Sequence, residues 1–286
     1  MDTRRLLIGS VLLSLAAGLS EAAPPRTKAK PTGPALKAVR KALEDGPKQG
    51  AEDAVALYRE AAAQAVRLAP ANLFVKEELE KALARARAET DVKEAGRVLR
   101  EALREAEAVL AFTPRMEAQL PERWPEVTPV GEVRLKHYPA YRLARTKSAS
   151  NTAAFFTLFN HISKNAVEMT APVEMTFESD KRGKLKQKDM AFLFGSPQTG
   201  KTGKNEGVEV LDLPAMDAVS IGLRGEENRE SLAEARTRLE RWLEQHADEY
   251  QACGPLRVMG YNSPAVPAGE RYYEVEIPVR SRKGSR

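Results

Sequence analysis

Apolar and polar residues alternate most cleanly between Val167 and Phe177, where the sequence reads V-E-M-T-A-P-V-E-M-T-F. Every odd-numbered position in this stretch is apolar, and the even-numbered positions are mainly polar. Because successive side chains of a strand point to opposite faces, this period of two predicts a strand with one buried and one solvated face. Glu168 and Glu174 then belong to the solvated face.

A helical pattern lies immediately before this strand, over 151–163. Its apolar residues Phe155, Leu158, Phe159 and Ile162 fall at i, i+3, i+4 and i+7. This spacing predicts an amphipathic helix whose apolar stripe faces a sheet.

The C-terminal part of the chain, residues 130–280, contains this arrangement twice. Strands at 132–138 and 208–213 each run into a Pro-Ala pair and a second strand, then a helix and two further strands. The second helix spans about 231–250, where Ser231 and Glu234 suggest a capping box. The pattern predicts an α+β fold of two pseudo-symmetric ββαββ halves, whose strands join in one curved antiparallel sheet or a distorted barrel.

The preceding region has a different composition. Residues 35–112 are rich in Ala, Glu, Arg and Leu, and their apolar residues recur at helical spacing, which predicts a bundle of three or four helices. A Pro-rich segment, 113–129, is expected to link this bundle to the C-terminal domain, and residues 281–286 form a short tail.

The N-terminus has the pattern of a secretory signal peptide. Arg4 and Arg5 precede an apolar run over 6–19, and small residues near Ala22 suit cleavage there, so residues 1–22 are expected to be removed. The run is short for a membrane span, which needs about 20 residues. Residues 23–34 read as a Pro- and Lys-rich linker. We therefore expect an exported protein, periplasmic or secreted, without stable membrane insertion after cleavage; retention of the segment as an anchor is the alternative.

Charge and cysteine content exclude several classes of protein. The net charge is +5, and basic residues are mixed with acidic ones along the helices, which argues against a nucleic-acid surface. Cys253 is the only cysteine, so an internal disulfide, a multi-cysteine zinc site and covalent haem attachment are excluded.

Several motifs make the C-terminal domain resemble the SOUL haem-binding family. They are E-V-R-L-K-H-Y-P-A-Y-R-L-A at 132–144, A-F-F-T-L-F-N-H-I at 154–162, M-T-A-P-V at 169–173 and R-Y-Y-E-V-E-I-P-V at 271–279. The turn at 163–166 departs from the Gly-x-Asn turn that many members carry. The resemblance implies a distorted barrel with two helices and non-covalent binding of haem or a related tetrapyrrole.

The resemblance also implies where such a ligand would bind. Haem requires an apolar cleft, cations near its propionates and, optionally, an axial ligand. Candidates for apolar contact are Phe155, Leu158, Phe159, Met169 and Met175. Arg142 and Lys164 are candidates for the propionates, and His137 is the candidate iron ligand because it is in phase with apolar strand positions.

Each of these candidates has a plainer interpretation. An aromatic and methionine stripe at this spacing is often ordinary core. His137 could instead be a hydrogen-bonded rim residue, His161 lies on the flank of the first helix, and His246 falls in the apolar stripe of the second helix. Glu168 and Glu174 are more often solvated than catalytic when they lie on an exposed strand face.

No motif of an enzyme is evident: the sequence lacks H-E-x-x-H, G-x-S-x-G and a P-loop, and G-K-T-G at 200–203 has the wrong spacing. We therefore expect a non-catalytic binding protein whose helical bundle could contact a protein partner. The alternatives are a binder of other apolar small molecules and, from another class, a hydrolase or tetrapyrrole-modifying enzyme.

Overall fold

A computed structural model describes residues 33–147 and 150–282. The predicted signal peptide (1–22), nearly all of the first linker (23–34) and the end of the tail (281–286) lie outside the described residues. The six α-helices, α1 to α6 in chain order, are Pro34–Asp45, Ala51–Leu68, Leu73–Ala88, Val92–Leu110, Asn151–Lys164 and Arg229–Gln245.

Helices α1 to α4 pack around a core of their own. Their buried residues recur every three or four positions; in α4 they are Ala95, Val98, Leu99, Leu103 and Ala106. Asn72 caps α3 by accepting a hydrogen bond from the backbone N–H of Val75, and Asp91 caps α4 in the same way. The predicted N-terminal helices are therefore present.

Ten strands follow, and all paired strands run antiparallel. In chain order, β1 to β10 are Val133–Tyr138, Tyr141–Thr146, Val173–Ser179, Leu185–Leu193, Gly203–Asn205, Val208–Leu213, Met216–Arg224, Tyr250–Ala252, Leu256–Gly260 and Tyr272–Ser281.

The strand order confirms the predicted duplication. The sheet runs β1-β7-β10-β9-β3-β4-β2-β6-β5, with β8 added beside β10. The first half contributes β1, β2, β3 and β4, and the corresponding strands of the second half are β6, β7, β9 and β10. Replacing each strand by its counterpart turns the order from β1 to β6 into its exact reverse, as a twofold relation between the halves requires. The first strand of each half therefore pairs with the second strand of the other half.

The sheet is strongly curved but open. Strand β1 lies at one edge, yet only Pro139 and Ala140 join it to β2 near the other edge. Among the described residues no pairing connects the two edges, so of the two expected forms the curved sheet is correct and the closed barrel is not.

The two faces of this sheet are covered differently. Helix α5 packs on the convex face over β2, β4 and β6, and α6 packs there over β7, β8 and β10. The concave face is covered by residues 111–132, which contain no helix or strand and which we call the strap. The segment predicted as a Pro-rich linker, 113–129, lies within the strap; the division of the chain into domains stays a prediction.

The strap is held by close backbone contacts. The Thr128 N–H donates to Glu274 Oε1 at 2.6 Å, and the Gly131 N–H donates to the carbonyl of Gly222 in β7 at 2.9 Å. Gly222 has no room for a side chain, since a Cβ there would lie 2.2 Å from the Thr128 carbonyl oxygen.

Two local predictions were wrong. The strand expected over 167–177 begins only at Val173 and runs to Ser179. Before it, the Ala171 N–H donates to the carbonyl of Gln119 in the strap, and Pro172 has no N–H for a strand ladder. The second helix begins at Arg229, and its capping box is formed by Asn228 and Ser231 rather than by Ser231 and Glu234.

We predict that Gly222→Ala destabilises the protein by about 1–3 kcal/mol, because the added methyl group meets strap backbone that must shift. The matched control is Gly260→Ala in β9, where the nearest atom to a Cβ lies at an ordinary 3.8 Å. Urea denaturation of both variants measures the difference, and equal midpoints would contradict the close packing of the strap.

Candidate functional site

Three phenylalanines of α5 form an aromatic surface on the convex side. Phe155, Phe156 and Phe159 are all half-buried. The rings of Phe155 and Phe159 stack with centroids 6.2 Å apart and planes 10° apart, and Phe155 also meets Phe192 of β4 edge to face at 5.1 Å. The sheet thus fixes the orientation of Phe155, which in turn orders Phe159 on the outer surface.

A cleft of about 160 Å³ lies at the C-terminal part of α5, on a side of the helix that Phe155 and Phe159 do not line. Helix α5 contributes Thr157, Asn160, His161 and Lys164, and the β5–β6 hairpin contributes Glu206 and Val208. Glu206 and Gly207 both have positive φ, 48° and 81°, as a two-residue hairpin turn requires. This turn places the Glu206 carboxylate 3.0 Å from Lys164 Nζ.

His161 is the half-buried imidazole in this cleft. Burial lowers its pKa below the ordinary value, Glu206 opposes the shift and Lys164 adds to it. Within the described residues, nothing hydrogen-bonds to its ring. The imidazole is therefore mainly neutral at pH 7 and has a free nitrogen lone pair, which is the form that ligates a metal.

The structure brings the five residues predicted for apolar contact into one cluster. Phe155, Leu158, Phe159, Met169 and Met175 all belong to the hydrophobic cluster between the convex face and its helices. Leu158 and Met175 are buried within it, as the plainer core interpretation expects. Phe155, Phe159 and Met169 are only partly buried, so these three are accessible to a ligand.

The predicted iron ligand His137 lies elsewhere. It does share the convex face with Val133 and Leu135, but its side chain is 72% exposed, and its Nδ1 lies 2.7 Å from the Asp217 carboxylate of β7. Strand β1 belongs to the part of the sheet that carries α6, so His137 is separate from the α5 surface.

The two predicted propionate partners differ in availability. Arg142 is bound to Asp212 at 2.7 Å and to the carbonyls of Thr199 and Gly200. Lys164 is exposed, and its one partner among the described residues is Glu206. Lys164 is thus the cation nearer to a ligand on α5.

Sequence reasoning missed a second group of polar residues, inside the curve of the sheet. Lys136 of β1 is only 3% exposed, and its Nζ lies 2.7 Å and 2.9 Å from the two carboxylate oxygens of Glu274 in β10. Although burial opposes ionisation, Lys136 holds the pKa of Glu274 below its ordinary value. Tyr261 and Thr128 also donate hydrogen bonds to Glu274.

A second ion pair lies beside the first. Arg257 of β9 donates from Nη2 to Glu276 of β10 at 2.8 Å, and Tyr138 donates its hydroxyl hydrogen to the same carboxylate. Glu174 lies 3.5 Å from Arg257 Nη1 and accepts a hydrogen bond from Tyr141 at 3.1 Å. Burial, opposed by Arg257, raises the pKa of Glu174.

The expectation that Glu174 lies on a solvated face was therefore wrong. Glu174 is only 4% exposed, whereas Glu168 is exposed as expected. The alternation correctly separated two faces of β3, but the curvature of the sheet and the strap enclose the polar one. A sequence signal did exist, since Lys136, Arg257, Glu274 and Glu276 occupy alternate strand positions with opposite charges.

The described residues offer neither a cluster of metal ligands nor a helix suited to span a bilayer. No cluster of three or more His, Cys, Asp or Glu side chains within residues 33–147 and 150–282 is arranged to hold a metal ion. None of the helices in these ranges combines the length and apolar character of a bilayer span.

This geometry defines an α+β protein with a duplicated, curved antiparallel sheet and two helices on its convex face. The sequence profile of the SOUL heme-binding protein family matches residues 125–278. The match covers more than half of the chain, and the protein therefore belongs to this family. A comparison with curated proteins gives no match.

Solved structures similar to the chain include the C-terminal domain of EcmrR, with 21% identity, 52% of this chain and 97% of that chain covered, and a TM-score of 0.40. A hydrolase from Listeria innocua is 10% identical over 56% of this chain and 94% of that one, with a TM-score of 0.39. SAV2435 bound to tetraphenylphosphonium is 11% identical over 52% and 94%, with a TM-score of 0.35. Identities and TM-scores this low say nothing about the ligand or activity of this chain.

We predict that the His161 imidazole titrates below pH 6.5 in NMR spectra, assigned with a His161→Gln variant. Because the folded-state pKa lies below the unfolded-state value, the unfolded chain binds more protons, and this residue reduces stability as the pH falls through that window. Glu206→Gln should lower the His161 pKa further, whereas Glu178→Gln on β3 should leave it unchanged. A titration midpoint at or above 6.5 would contradict the described environment.

Proposed function

We propose that the protein is an exported, non-catalytic binding protein for haem or a related tetrapyrrole, and that the ligand binds at the outer face of α5. Membership of the SOUL haem-binding family is the observation that carries this proposal. The chemistry of α5 supports the place, because one helix presents an aromatic surface, a neutral imidazole and an exposed lysine.

Each of the proposed contact residues matches a part of the ligand. Phe155, Phe159 and Met169 offer apolar contact to a flat macrocycle. His161 would supply the axial nitrogen, and Lys164 would pair with a propionate. When bound, haem supplies an iron that takes an axial ligand; the chain supplies the surface that orients it.

The size of the cleft bears on affinity. At about 160 Å³ it is smaller than the roughly 300–1,000 Å³ of typical ligand pockets, so the macrocycle would be held on one face and not enclosed. Several hundred square ångströms of apolar contact contribute on the order of 10 kcal/mol at about 25 cal/mol per Å². Association costs remove part of this, which suggests binding in the micromolar range.

We predict that ferric haem binds the full-length mature protein with a Kd on the order of micromolar, seen as a saturable Soret shift. His161→Ala should alter the Soret band because the axial nitrogen is lost. His137→Ala tests the alternative ligand and should leave the spectrum unchanged. Phe159→Asp should weaken binding about tenfold or more, because a carboxylate replaces apolar contact.

Absence of a saturable Soret shift at tens of micromolar haem would contradict haem binding. It would favour the second candidate, a binder of other apolar molecules, which the partly exposed Phe155–Phe159 stack also suits. A hydrolytic or tetrapyrrole-modifying activity is the alternative from another class, and it would require turnover of a tetrapyrrole or ester by the purified protein.

Export is proposed from the N-terminal pattern alone. We predict that protein recovered from its native host begins at Ala23 and lies outside the cytoplasm, which intact-mass measurement and cell fractionation test. Recovery of the chain with residues 1–22 attached, in the membrane fraction, would favour the retained anchor.

A further inference from the structure

A second cleft lies between the N-terminal helices and the curved sheet. Its volume is about 360 Å³, against about 160 Å³ for the cleft at α5, and it falls within the roughly 300–1,000 Å³ of typical ligand pockets. Helices α3 and α4, the end of the strap, the last residue of β7 and helix α6 all line it. None of the described residues that line it comes from α5, so the binding proposed above leaves this cleft unused.

The floor of this cleft is apolar, and backbone contacts hold it in place. Its apolar lining residues are Phe74 and Val75 of α3, Ala106 and Val109 of α4, and Val130 of the strap. The Asn72 side-chain amide donates to the Val130 carbonyl at 2.8 Å, and the Leu73 N–H donates to the carbonyl of Gly131 at 2.7 Å. These bonds join the start of α3 to the strap, so a ligand would meet a preformed apolar surface.

Arg238 of α6 forms an ordered wall of the cleft. Its guanidinium carbon lies 4.7 Å from the centre of the Phe74 ring, and its nitrogens pair with Glu77 at 2.9 Å and with Glu234 at 3.2 Å. Two carboxylates therefore already balance its charge within the protein. Arg238 shapes the wall, and it leaves the recognition of a charged ligand to other residues.

Arg224 and Glu105 form the loosest ion pair among the residues that line the cleft. Arg224 Nη2 lies 3.5 Å from Glu105 Oε2, and within the described ranges neither side chain has another hydrogen-bond or ion-pair partner. Arg224 ends β7 and Glu105 belongs to α4, so the pair links two walls of the cleft. The Glu105 side chain is 72% exposed, and exposed pairs contribute little to stability, so a ligand can separate the two charges easily.

The chemistry of this pair selects the kind of ligand. A ligand with a single charge would satisfy one member of the pair and leave the other without a partner. A zwitterion supplies a carboxylate, which the planar guanidinium of Arg224 can bind through two parallel hydrogen bonds, and an ammonium group for Glu105. An apolar side chain on the same molecule would lie on the apolar floor.

We propose that this cleft binds an α-amino acid with a large apolar side chain, whose carboxylate pairs with Arg224 and whose ammonium group pairs with Glu105. The ligand enters between the two side chains and replaces their contact with one charge-assisted contact to each. Its side chain is buried between α3, α4 and the strap. The site is independent of the tetrapyrrole surface at α5.

The probe is L-leucine, titrated into the full-length protein by isothermal calorimetry. We expect saturable binding with a Kd on the order of 0.1 mM for a ligand of this size. Leucinamide lacks the carboxylate, N-acetyl-leucine lacks the ammonium group and glycine lacks the side chain, and each should bind about tenfold more weakly or not at all. Leucyl-leucine separates the two charges and should bind more weakly than leucine; tighter binding would overturn the amino acid in favour of a peptide.

Arg224→Gln and Glu105→Gln each remove one charge of the pair and should weaken leucine binding about tenfold. The matched control is Glu101→Gln, about one turn earlier on α4, whose exposed side chain pairs with Arg97 and does not line the cleft. This control should leave the Kd for leucine unchanged. Haem binding should be the same in all three variants, so a failure here is distinguishable from a failure at α5.

Three further results would overturn the proposal. They are the absence of saturable heat up to about 10 mM leucine, equal affinity for leucine and leucinamide, and unchanged leucine binding by a folded Arg224→Gln protein. If circular dichroism shows that Arg224→Gln does not fold, the comparison of leucine with leucinamide on the parent protein decides the question.

Discussion

The ion pairs inside the curve of the sheet are the constraint on which the rest of the structure depends. Lys136 with Glu274, and Arg257 with Glu276, join β1, β9 and β10, and removal of one partner from such a pair typically costs about 3–5 kcal/mol. Glu274 also holds the strap through the Thr128 N–H. Strand register, curvature and closure of the strap are therefore tied to one another, because each is needed to keep a buried charge paired.

The sequence predicted the features that depend on residues close together in the chain, and it missed those that depend on contacts between distant residues. The duplication and most strand positions follow from local alternation, and β6 begins and ends where the pattern predicts. Alternation also separated the two faces of β3 correctly. It could not show that the face with Glu174 is enclosed, because enclosure depends on Tyr141, Arg257 and Trp124, which are distant in the chain.

The candidate site on α5 shows the same limit. Helical spacing predicted the stripe that contains Leu158 and Phe159, and the structure buries the first and leaves the second partly exposed. Phase along β1 correctly placed His137 on the convex face, yet its neighbour Asp217 comes from β7, far away in sequence. His161 becomes a plausible ligand only because the β5–β6 hairpin builds the other wall of its cleft, which no local pattern reveals.

The two faces of one sheet thus present different chemistry, an aromatic and imidazole surface outside and a charged interior under the strap. The central claim is that a tetrapyrrole binds to the outer face at α5. The most direct test is an NMR titration of the protein with zinc protoporphyrin, which is diamagnetic. We expect the Phe159, His161 and Lys164 resonances to shift, with those of Trp124 and Tyr138 unchanged. Shifts confined to Trp124 and Tyr138 would contradict it.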